Sequence, residues 1–314
     1  MHTGSDCDRN HQSLVSVLVC TRNRGDPLLR CLESVLAQDY PHLEILILDD
    51  ASERSAAALV AERFPDARVR FLRSEQRLGV AGARNRLIED AQGSILVTID
   101  DDAILSHSSF ISRIVEHFRS MPQVGVLAFK IVTHLQDSIE LWPPFGRRTL
   151  VKDPGISDRS RQVSYFIGTG HAIRRSVFDH CGLYQDDLVY YAEDLDLSYR
   201  VIRSGIPIFY AADVVVDHFP EPSALKPHGE REEIHFAVRN RIWMAWKHLP
   251  QPYLWTHVLI WLTFYGVTAL RQRGLRQFYQ GARAGFAGLG ALERQVLNTE
   301  AVAYLKANYG RLWY

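Results

Sequence analysis

The chain has 314 residues, 46% of them hydrophobic, which is enough for one large globular domain or two ordinary ones. Its 36 Lys and Arg balance 36 Asp and Glu, which argues against a nucleic-acid partner bound through a global basic charge. Four cysteines without paired metal spacing favour a reducing compartment over a disulfide framework. Residues 1–13 are polar, lack the apolar core of a signal peptide and predict a short flexible N-terminus.

Strands and helices are predicted to alternate through the first half of the chain. Apolar runs predict strands at residues 14–20, 43–48, 69–72, 95–99 and 124–129. Helical spacing and capping signals predict helices at about 26–36, 52–64, 79–93 and 107–120. This alternation indicates an α/β fold with right-handed crossovers and a Rossmann-like, mostly parallel central sheet flanked by helices.

Polar side chains follow three of the predicted strands, at the point where each strand ends. They are Thr21, Arg22 and Asn23 after the first strand, Asp49 and Asp50 after the second, and Asp100, Asp101 and Asp102 after the fourth. Ligands of parallel sheets bind outside the carboxyl ends of the strands, so these groups are expected to converge on one rim. Three adjacent aspartates repel one another unless solvent or a cation compensates them, and Mg²⁺ or Mn²⁺ prefers oxygen ligands. By themselves the three aspartates would favour a solvated acidic turn, since short motifs often occur without a function.

Two familiar nucleotide-binding motifs are absent from the sequence. No G-x-G-x-x-G follows the first strand, and no G-x-x-x-x-G-K-[ST] occurs anywhere. These absences argue against a nicotinamide-dependent oxidoreductase and a P-loop NTPase. A site with clustered aspartates and no glycine-rich cradle would hold phosphates through a metal ion.

The second half of the predicted domain starts with a loop-rich segment, residues 130–161, in which Trp142 and Phe145 either line an acceptor platform or pack beneath the loop. A strand is predicted at 163–167, a helix from Tyr190 to about Gly205, and strands at 206–210 and 214–216. The last strand leads to His218, which becomes a candidate metal ligand if it reaches the acidic cluster.

Three acids, Glu193, Asp194 and Asp196, crowd the first turn of the predicted helix. Acids at this position complement the helix macrodipole, which stabilises a helix by about 0.3–1 kcal/mol for each acid. The alternative is that one of them is a catalytic carboxylate. Both interpretations stand on the sequence pattern alone.

The C-terminal residues 221–314 are predicted to form a helical region. Residues 253–270 carry no Asp, Glu, Lys or Arg, and Arg271, Arg273 and Arg276 follow them directly. The run is short for a spanning helix, which needs about 20 apolar residues. Its tryptophans and arginines suit peripheral contact with an anionic membrane through 253–276, whereas a packing helix or a homodimer helix is the alternative.

Several segments, in this order, resemble glycosyltransferase family 2. They are VSVLVCTRNR, LEILILDDAS, GVAGARNRLIEDAQGSILVTIDDDA, GTGHAIRRSVFDHCGLY and YAEDLDLSYRVIRSG, within residues 15–218. The resemblance implies a GT-A fold over residues 14–220, with a nucleotide-binding half at 14–129 and an acceptor-binding half at 130–220. Within the family, the segments are most similar to rhamnosyltransferase-like enzymes or to enzymes of cell-surface polysaccharide synthesis.

The resemblance implies inverting transfer of a sugar from a UDP-, dTDP- or GDP-linked donor to a hydroxyl of a glycan or lipid-linked acceptor. Its implied residue roles are these: nucleotide-sugar contacts at Thr21, Arg22, Asn23, Asp49, Asp50, Arg84, Asp100 and Asp101; Mg²⁺ or Mn²⁺ ligands at Asp100, Asp102 and His218; and a general base at Asp194, with Glu193 next. Such an enzyme is expected in the cytoplasm or at the inner face of the cell membrane.

A non-catalytic binding protein and a nucleotidyltransferase are the alternatives to a glycosyltransferase. A binding protein that keeps the GT-A fold without catalysis would have no need to retain Asp100, Asp102 and Asp194 together. A nucleotidyltransferase that makes nucleotide sugars usually carries a glycine-rich basic loop after the first strand, where this chain has a single glycine, Gly25. The metal-dependent transferase is therefore the favoured interpretation.

Overall fold

The computed structural model describes residues 13–189, 191–221, 230–310 and 312–313, without the side chains of residues 147, 230 and 231. The predicted flexible N-terminus lies, except for Ser13, outside the described residues. The strands are β1 (Val15–Thr21), β2 (Leu43–Asp50), β3 (Val69–Ser74), β4 (Ile95–Asp100), β5 (Ala103–Leu105), β6 (Val126–His134), β7 (Ile139–Trp142), β8 (Arg161–Val163), β9 (Gly170–Arg174) and β10 (Ile208–His218). The helices are α1 (Gly25–Leu36), α2 (Ala57–Arg63), α3 (Gly79–Asp90), α4 (Phe110–Ser120), α5 (Arg147–Lys152), α6 (Arg175–Cys181), α7 (Glu193–Arg203), α8 (Glu230–His248), α9 (Tyr253–Arg271), α10 (Leu275–Ala287) and α11 (Thr299–Ala307).

The described strands form one sheet with the order β3-β2-β1-β4-β9-β6-β10-β5, with β7 beside β6 and β8 beside β10. Strands β1 to β4 pair in parallel, as predicted, because their apolar side chains can be buried on both faces of the sheet. Beyond β4 the sheet is mixed: β9 runs antiparallel to both β4 and β6. The predicted central sheet is confirmed: β6 and β10 also pair in parallel, and β9 is an antiparallel strand between β4 and β6.

The register of the parallel strands sets the positions of the polar rim. Thr21 lies opposite Asp49 on β2, and Cys20 lies opposite Asp100 on β4. Consecutive strand ends therefore place their polar residues at one edge, which is the arrangement that the sequence predicted.

The two strands predicted at 206–210 and 214–216 form one strand, β10, with a bulge between Ala211 and Val215. Because β10 pairs antiparallel with β5, His218 lies opposite Ala103, the residue that follows the three aspartates. This pairing brings His218 close to the three aspartates, which lie more than a hundred residues earlier in the chain.

Several predicted boundaries were wrong, and three of them have a clear physical reason. Helix α2 does not begin at Ser52, because the Ser52 N–H donates to Asp49 and its carbonyl accepts from Arg73, which holds a turn there. The strand predicted at 163–167 is only β8, since the chain leaves the sheet at Ser164, whose hydroxyl donates to a carbonyl near the C-terminus. Helix α7 begins at Glu193, three residues later than predicted, after residues with positive φ.

The C-terminal helices share a hydrophobic core with the sheet and α7. Ile234, Val238 and Ile242 of α8 are buried in the same cluster as Leu197 of α7. Helix α8 therefore packs directly behind the helix that begins with Glu193 and Asp194. The helical C-terminal region predicted from the sequence is confirmed.

Candidate active site

A cleft of about 1210 Å³ opens at the carboxyl edge of the parallel strands. One wall consists of the loop after β1 and the turn between β4 and β5, and we call it the metal wall (residues 21–24, 100–102 and 218). The opposite wall is formed by the residues that lead into α7, together with one residue of α8, and we call it the acceptor wall (residues 189–195, with Tyr190 left out, and Arg241). The two walls meet at the start of α3.

The middle aspartate, Asp101, is held by the loop after β1. Thr21 Oγ1 donates to Asp101 Oδ2 at 2.7 Å, and Arg24 Nη1 donates to Asp101 Oδ1 at 2.5 Å. Arg24 also donates to Asp102 Oδ2 at 2.9 Å. Burial raises the pKa of Asp101 to about 7 and the charge of Asp102 adds to this, although Arg24 opposes the shift. Asp101 therefore orients the β1 loop rather than offering a free oxygen to a ligand.

The two flanking aspartates lie near His218. One ligand atom from each of Asp100, Asp102 and His218 lies within 4.8 Å of the others. Asp102 Oδ1 is buried, accepts no hydrogen bond from the described residues and lies 3.3 Å from His218 Nε2. Burial opposes ionisation, yet the His218 contact and Arg24 hold the pKa of Asp102 below its usual range.

This donor set fits a divalent cation. A buried carboxylate oxygen without a hydrogen-bond partner is costly, and a cation bound by both Asp102 Oδ1 and His218 Nε2 would remove that cost. Carboxylates suit Mg²⁺ and Mn²⁺, and imidazole is a common ligand of first-row metals. Thr133 Oγ1, 3.3 Å from His218 Nδ1, and the edge of the Trp142 ring orient the imidazole from behind.

Arg84 of α3 connects the metal wall to the acceptor wall. Its Nη1 donates to Glu193 Oε1 at 3.1 Å, and its Nη2 donates to the Gly168 carbonyl and lies 3.6 Å from Asp100. A Cβ at Gly168 would lie 3.0 Å from the guanidinium, so a glycine permits this approach. Burial alone would lower the pKa of Arg84, but Glu193 and Asp100 raise it above its usual value.

The remaining predicted nucleotide contacts divide into two groups. Arg22, Asn23 and Asp50 line the cleft, although Asp50 already accepts from the Leu78 and Gly79 N–H groups before α3. Asp49 does not line it: this buried residue pairs with Arg73 at 3.0 Å and accepts from the Ser52 N–H. The structure thus places Asp49 beneath the rim, in a supporting position.

The segment before α7 has an unusual backbone. Val189, Tyr191 and Ala192 have φ values of 51°, 82° and 80°, in a region that non-glycine residues rarely adopt. Such strain persists only where surrounding contacts impose it, and it is concentrated at functional sites. It aims Glu193 and Asp194 into the cleft, where Asp194 Oδ1 accepts from the Leu195 N–H at 2.7 Å.

Asp196, two residues later, has a different environment. It is fully buried away from the cleft and pairs with Arg200, Lys247 and His248 at 2.7, 2.8 and 2.9 Å. Burial raises its pKa, but these three partners overcome that effect and hold the pKa well below its usual range. Asp196 therefore joins α7 to α8 and holds the start of α7 in place.

Sequence reasoning missed two cleft residues that the structure shows. Arg24 was visible only as part of a polar loop, and its pairing with Asp101 and Asp102 follows from the fold. Arg241 lies among many charged and aromatic residues of α8, with no local pattern to distinguish it. Of the two aromatic candidates, Trp142 lines the cleft, whereas Phe145 is buried against Tyr210 and Tyr309.

Helix α9, which spans 19 residues, is by length and composition able to cross a membrane, and 33% of its most apolar window is buried. Its inner side packs on α8, and its outer side exposes large apolar residues. The exposed ones are Trp255, Leu259, Ile260, Phe264, Val267 and Leu270.

Comparison with known proteins assigns the chain to a family. The model described as glycosyl transferase family 2 matches residues 16–182. An uncharacterized protein of Haemophilus influenzae is 30% identical over 179 residues, 55% of this chain and 93% of that protein. UDP-Glc:alpha-D-GlcNAc-diphosphoundecaprenol beta-1,3-glucosyltransferase WfgD of Escherichia coli is 35% identical over 91 residues, 29% of this chain and 36% of its own length. The match thus spans only about a third of that relative.

Solved structures share the fold at low identity. Mannosyltransferase PcManGT from Pyrobaculum calidifontis, in complex with GDP-Man and Mn²⁺, has a TM-score of 0.57 and 20% identity, covering 94% of this chain and 79% of that one. S. aureus TarS 1–349 in complex with UDP-GlcNAc has a TM-score of 0.56 and 16% identity, covering 79% of this chain and 71% of that one. The fold of the present chain is therefore GT-A.

Proposed function

The chain belongs to glycosyltransferase family 2, and we propose that it is a metal-dependent, inverting enzyme that transfers a sugar from a nucleotide diphosphate to an acceptor hydroxyl. The observation that carries the proposal is the pairing of two features in one cleft. An Asp100–Asp102–His218 set with an orphaned oxygen lies on one wall, and an acid at a strained helix start lies on the other.

The metal wall would hold the donor. Asp100, Asp102 and His218 would bind Mg²⁺ or Mn²⁺, which supplies Lewis-acid stabilisation of the charge that develops on the leaving diphosphate. Asp101 would keep Thr21 and Arg24 in position, and Arg22, Asn23 and Asp50 would contact the nucleotide. Arg84 would keep Asp100 and Glu193 in a fixed relation across the cleft.

Asp194 would act on the acceptor. Its carboxylate takes the proton of the attacking hydroxyl as the oxygen bonds to the anomeric carbon and the bond to the diphosphate breaks. General base catalysis of this kind contributes about 10²–10⁴-fold. A single displacement inverts the anomeric centre, whereas retention through a covalent intermediate would need a carboxylate nucleophile on the other face.

A lipid-linked acceptor and a peripheral position at the inner face of the cell membrane fit the outer side of α9. Between residues 251 and 292 the chain carries four arginines and no Asp, Glu or Lys. An exposed apolar helix face followed along the chain by arginines, with no acids among them, complements an anionic lipid surface. WfgD, as its name states, acts on a diphosphoundecaprenol-linked sugar. We propose cell-surface polysaccharide synthesis as the corresponding process for this chain.

The test is a transfer assay with nucleotide sugars and bacterial lipid extract as the acceptor source, with Mn²⁺ or with EDTA. We expect a glycosylated lipid only with metal, and NMR of the product should show the anomeric configuration opposite to that of the donor. Retained configuration would contradict the single-displacement mechanism. Donor binding without turnover on any acceptor would favour a GT-A-fold binding protein.

A further inference from the structure

One arginine of the acceptor wall is buried without a counter-charge. Arg241 of α8 is 4% exposed and lines the cleft. In the part of the chain that the structure describes, its Nε and Nη1 have no hydrogen-bond partner and no carboxylate pairs with it. A guanidinium stays protonated at any physiological pH, so burying its N–H groups unpaired costs stability.

Neighbouring arginines show that this fold can satisfy a buried guanidinium. Arg200 pairs with Asp196 and also donates to the carbonyls of Gly182 and Leu183. Arg239, two positions before Arg241 on the same helix, donates to the Asp187 and Leu188 carbonyls. The open N–H groups of Arg241 are therefore particular to its place in the cleft.

Aromatic rings hold the Arg241 guanidinium in position. Its Cζ lies 3.9 Å from the ring centroid of Trp261 and 5.8 Å from that of Tyr191, and Tyr265 also contacts it. Stacking on an aromatic face fixes the guanidinium plane. The unpartnered Nε and Nη1 belong to different edges of that plane, so they would donate to separate oxygens of a phosphate or diphosphate.

We propose that Arg241 binds a phosphate or diphosphate group of the acceptor. This rests on the proposed function, since it names a feature of the acceptor that the same cleft would take. The donor diphosphate has a separate place at the metal wall, with Asp100, Asp102 and His218. Arg241 lies on the other wall, beside the residues that lead to Asp194, where the acceptor hydroxyl has to arrive.

The surroundings of Arg241 connect this subsite to the outer side of α9. Trp261 and Tyr265, which contact the guanidinium, also contact the exposed Phe264 of the same helix, with ring centroids 5.5 and 5.2 Å apart. A lipid diphosphate acceptor has an apolar chain joined to an anionic group. One helix would thus present an apolar surface outside and an anchored cation inside.

The experiment measures binding of inorganic pyrophosphate by calorimetry in EDTA, and binding of the preferred nucleotide diphosphate with Mn²⁺. Arg241→Gln should weaken pyrophosphate binding at least about tenfold and leave nucleotide binding within about threefold. Arg294→Gln is the matched control, because Arg294 stacks on Trp246 at 4.6 Å but is exposed and outside the cleft. It should leave both affinities unchanged.

The outcomes separate this inference from the proposed function. Unchanged pyrophosphate binding in Arg241→Gln, or none in the wild type, would overturn the subsite. Parallel loss of nucleotide and pyrophosphate binding would assign Arg241 to the donor and overturn the acceptor assignment. Failure of the wild type to bind any nucleotide would contradict the transferase, and the pyrophosphate arm would still report on Arg241. If Arg241→Gln does not fold, Arg241→Lys keeps the charge but loses the planar set of N–H donors, and it should show a smaller loss.

Discussion

The two walls of the cleft differ in how completely the protein satisfies its own charges. On the metal wall, Asp101 and Asp102 share Arg24, and only one buried oxygen, Asp102 Oδ1, is left open among the described residues. On the acceptor wall, the guanidinium of Arg241 has two open nitrogens, and the backbone before α7 is strained. On our proposal a single ion would complete the metal wall, whereas an anionic group of the acceptor would complete the acceptor wall.

Asp194→Asn should break the acceptor wall and leave the metal wall intact. We expect transfer to fall by about 10²–10⁴-fold, because the amide cannot take the proton of the hydroxyl. Donor affinity, measured by calorimetry, should stay the same. The control is Asp187→Asn, which changes an exposed acid outside the cleft and should leave turnover unchanged. Near-normal turnover in Asp194→Asn would contradict its role as the general base and would assign that role to Glu193.

Asp196→Asn tests the support behind the acceptor wall. Loss of this charge leaves Arg200 and Lys247 buried without their counter-ion, which should cost about 3–5 kcal/mol of unfolding free energy in urea. Asp213→Asn, which affects only partly exposed pairs with His117 and Arg113, should cost about 1 kcal/mol or less. Equal losses would contradict a structural role for Asp196.

The carboxyl group of Asp196 should also make the stability of the fold depend on pH. Because the folded pKa of Asp196 is lowered below its unfolded value near 4, its stabilisation is present above that pH and is lost as the pH falls through the folded pKa. The wild type should therefore lose more stability than Asp196→Asn between neutral pH and about pH 3.

Asp102→Asn should damage the metal wall alone. Replacing an oxygen ligand by an amide should weaken Mn²⁺-dependent donor binding at least about tenfold, with no change in pyrophosphate binding in EDTA. Asp217→Asn is the matched control: it adjoins His218 on β10, bonds to His134 and Ser106, and does not line the cleft. Similar losses in both variants would show that the effect is not ligation.

Changes on the outer side of α9 should have the smallest effect. Leu259→Ser with Phe264→Ser should reduce flotation with anionic vesicles several-fold, since each apolar side chain contributes about 1.5–3 kcal/mol when fully buried and less at an interface. Ile139→Ser with Val151→Ser, exposed far along the chain, is the control. Failure of the wild-type protein to float with the vesicles, or the formation of a dimer through α9, would contradict membrane contact.

The sequence was most informative where local pattern and strand register agree. Buried parallel strands appear as apolar runs, and their shared register then requires Thr21, Asp49 and Asp100 to end at one edge. The chemistry at that edge could be inferred from residue types. The position of His218 beside Asp102 depends on the pairing of β10 with β5, which no local pattern predicts, although the resemblance to the family did.

The acceptor wall was less predictable for a physical reason. The open guanidinium of Arg241 follows from contacts among α7, α8 and α9, which are distant in sequence. Strand β9 was missed because it has only five residues, the first of them a glycine, which is too short a pattern to predict a strand. The supporting role of Asp49 depends on Arg73 lying opposite it on β3.

The central claim is that the aspartate edge is a metal-dependent donor site. Calorimetry of the wild-type protein with UDP-, GDP- and dTDP-linked sugars, first with Mn²⁺ and then with EDTA, tests it most directly. We predict that one base class binds with Mn²⁺ and that EDTA abolishes the binding. Binding that EDTA leaves unchanged, or no binding to any donor, would contradict it.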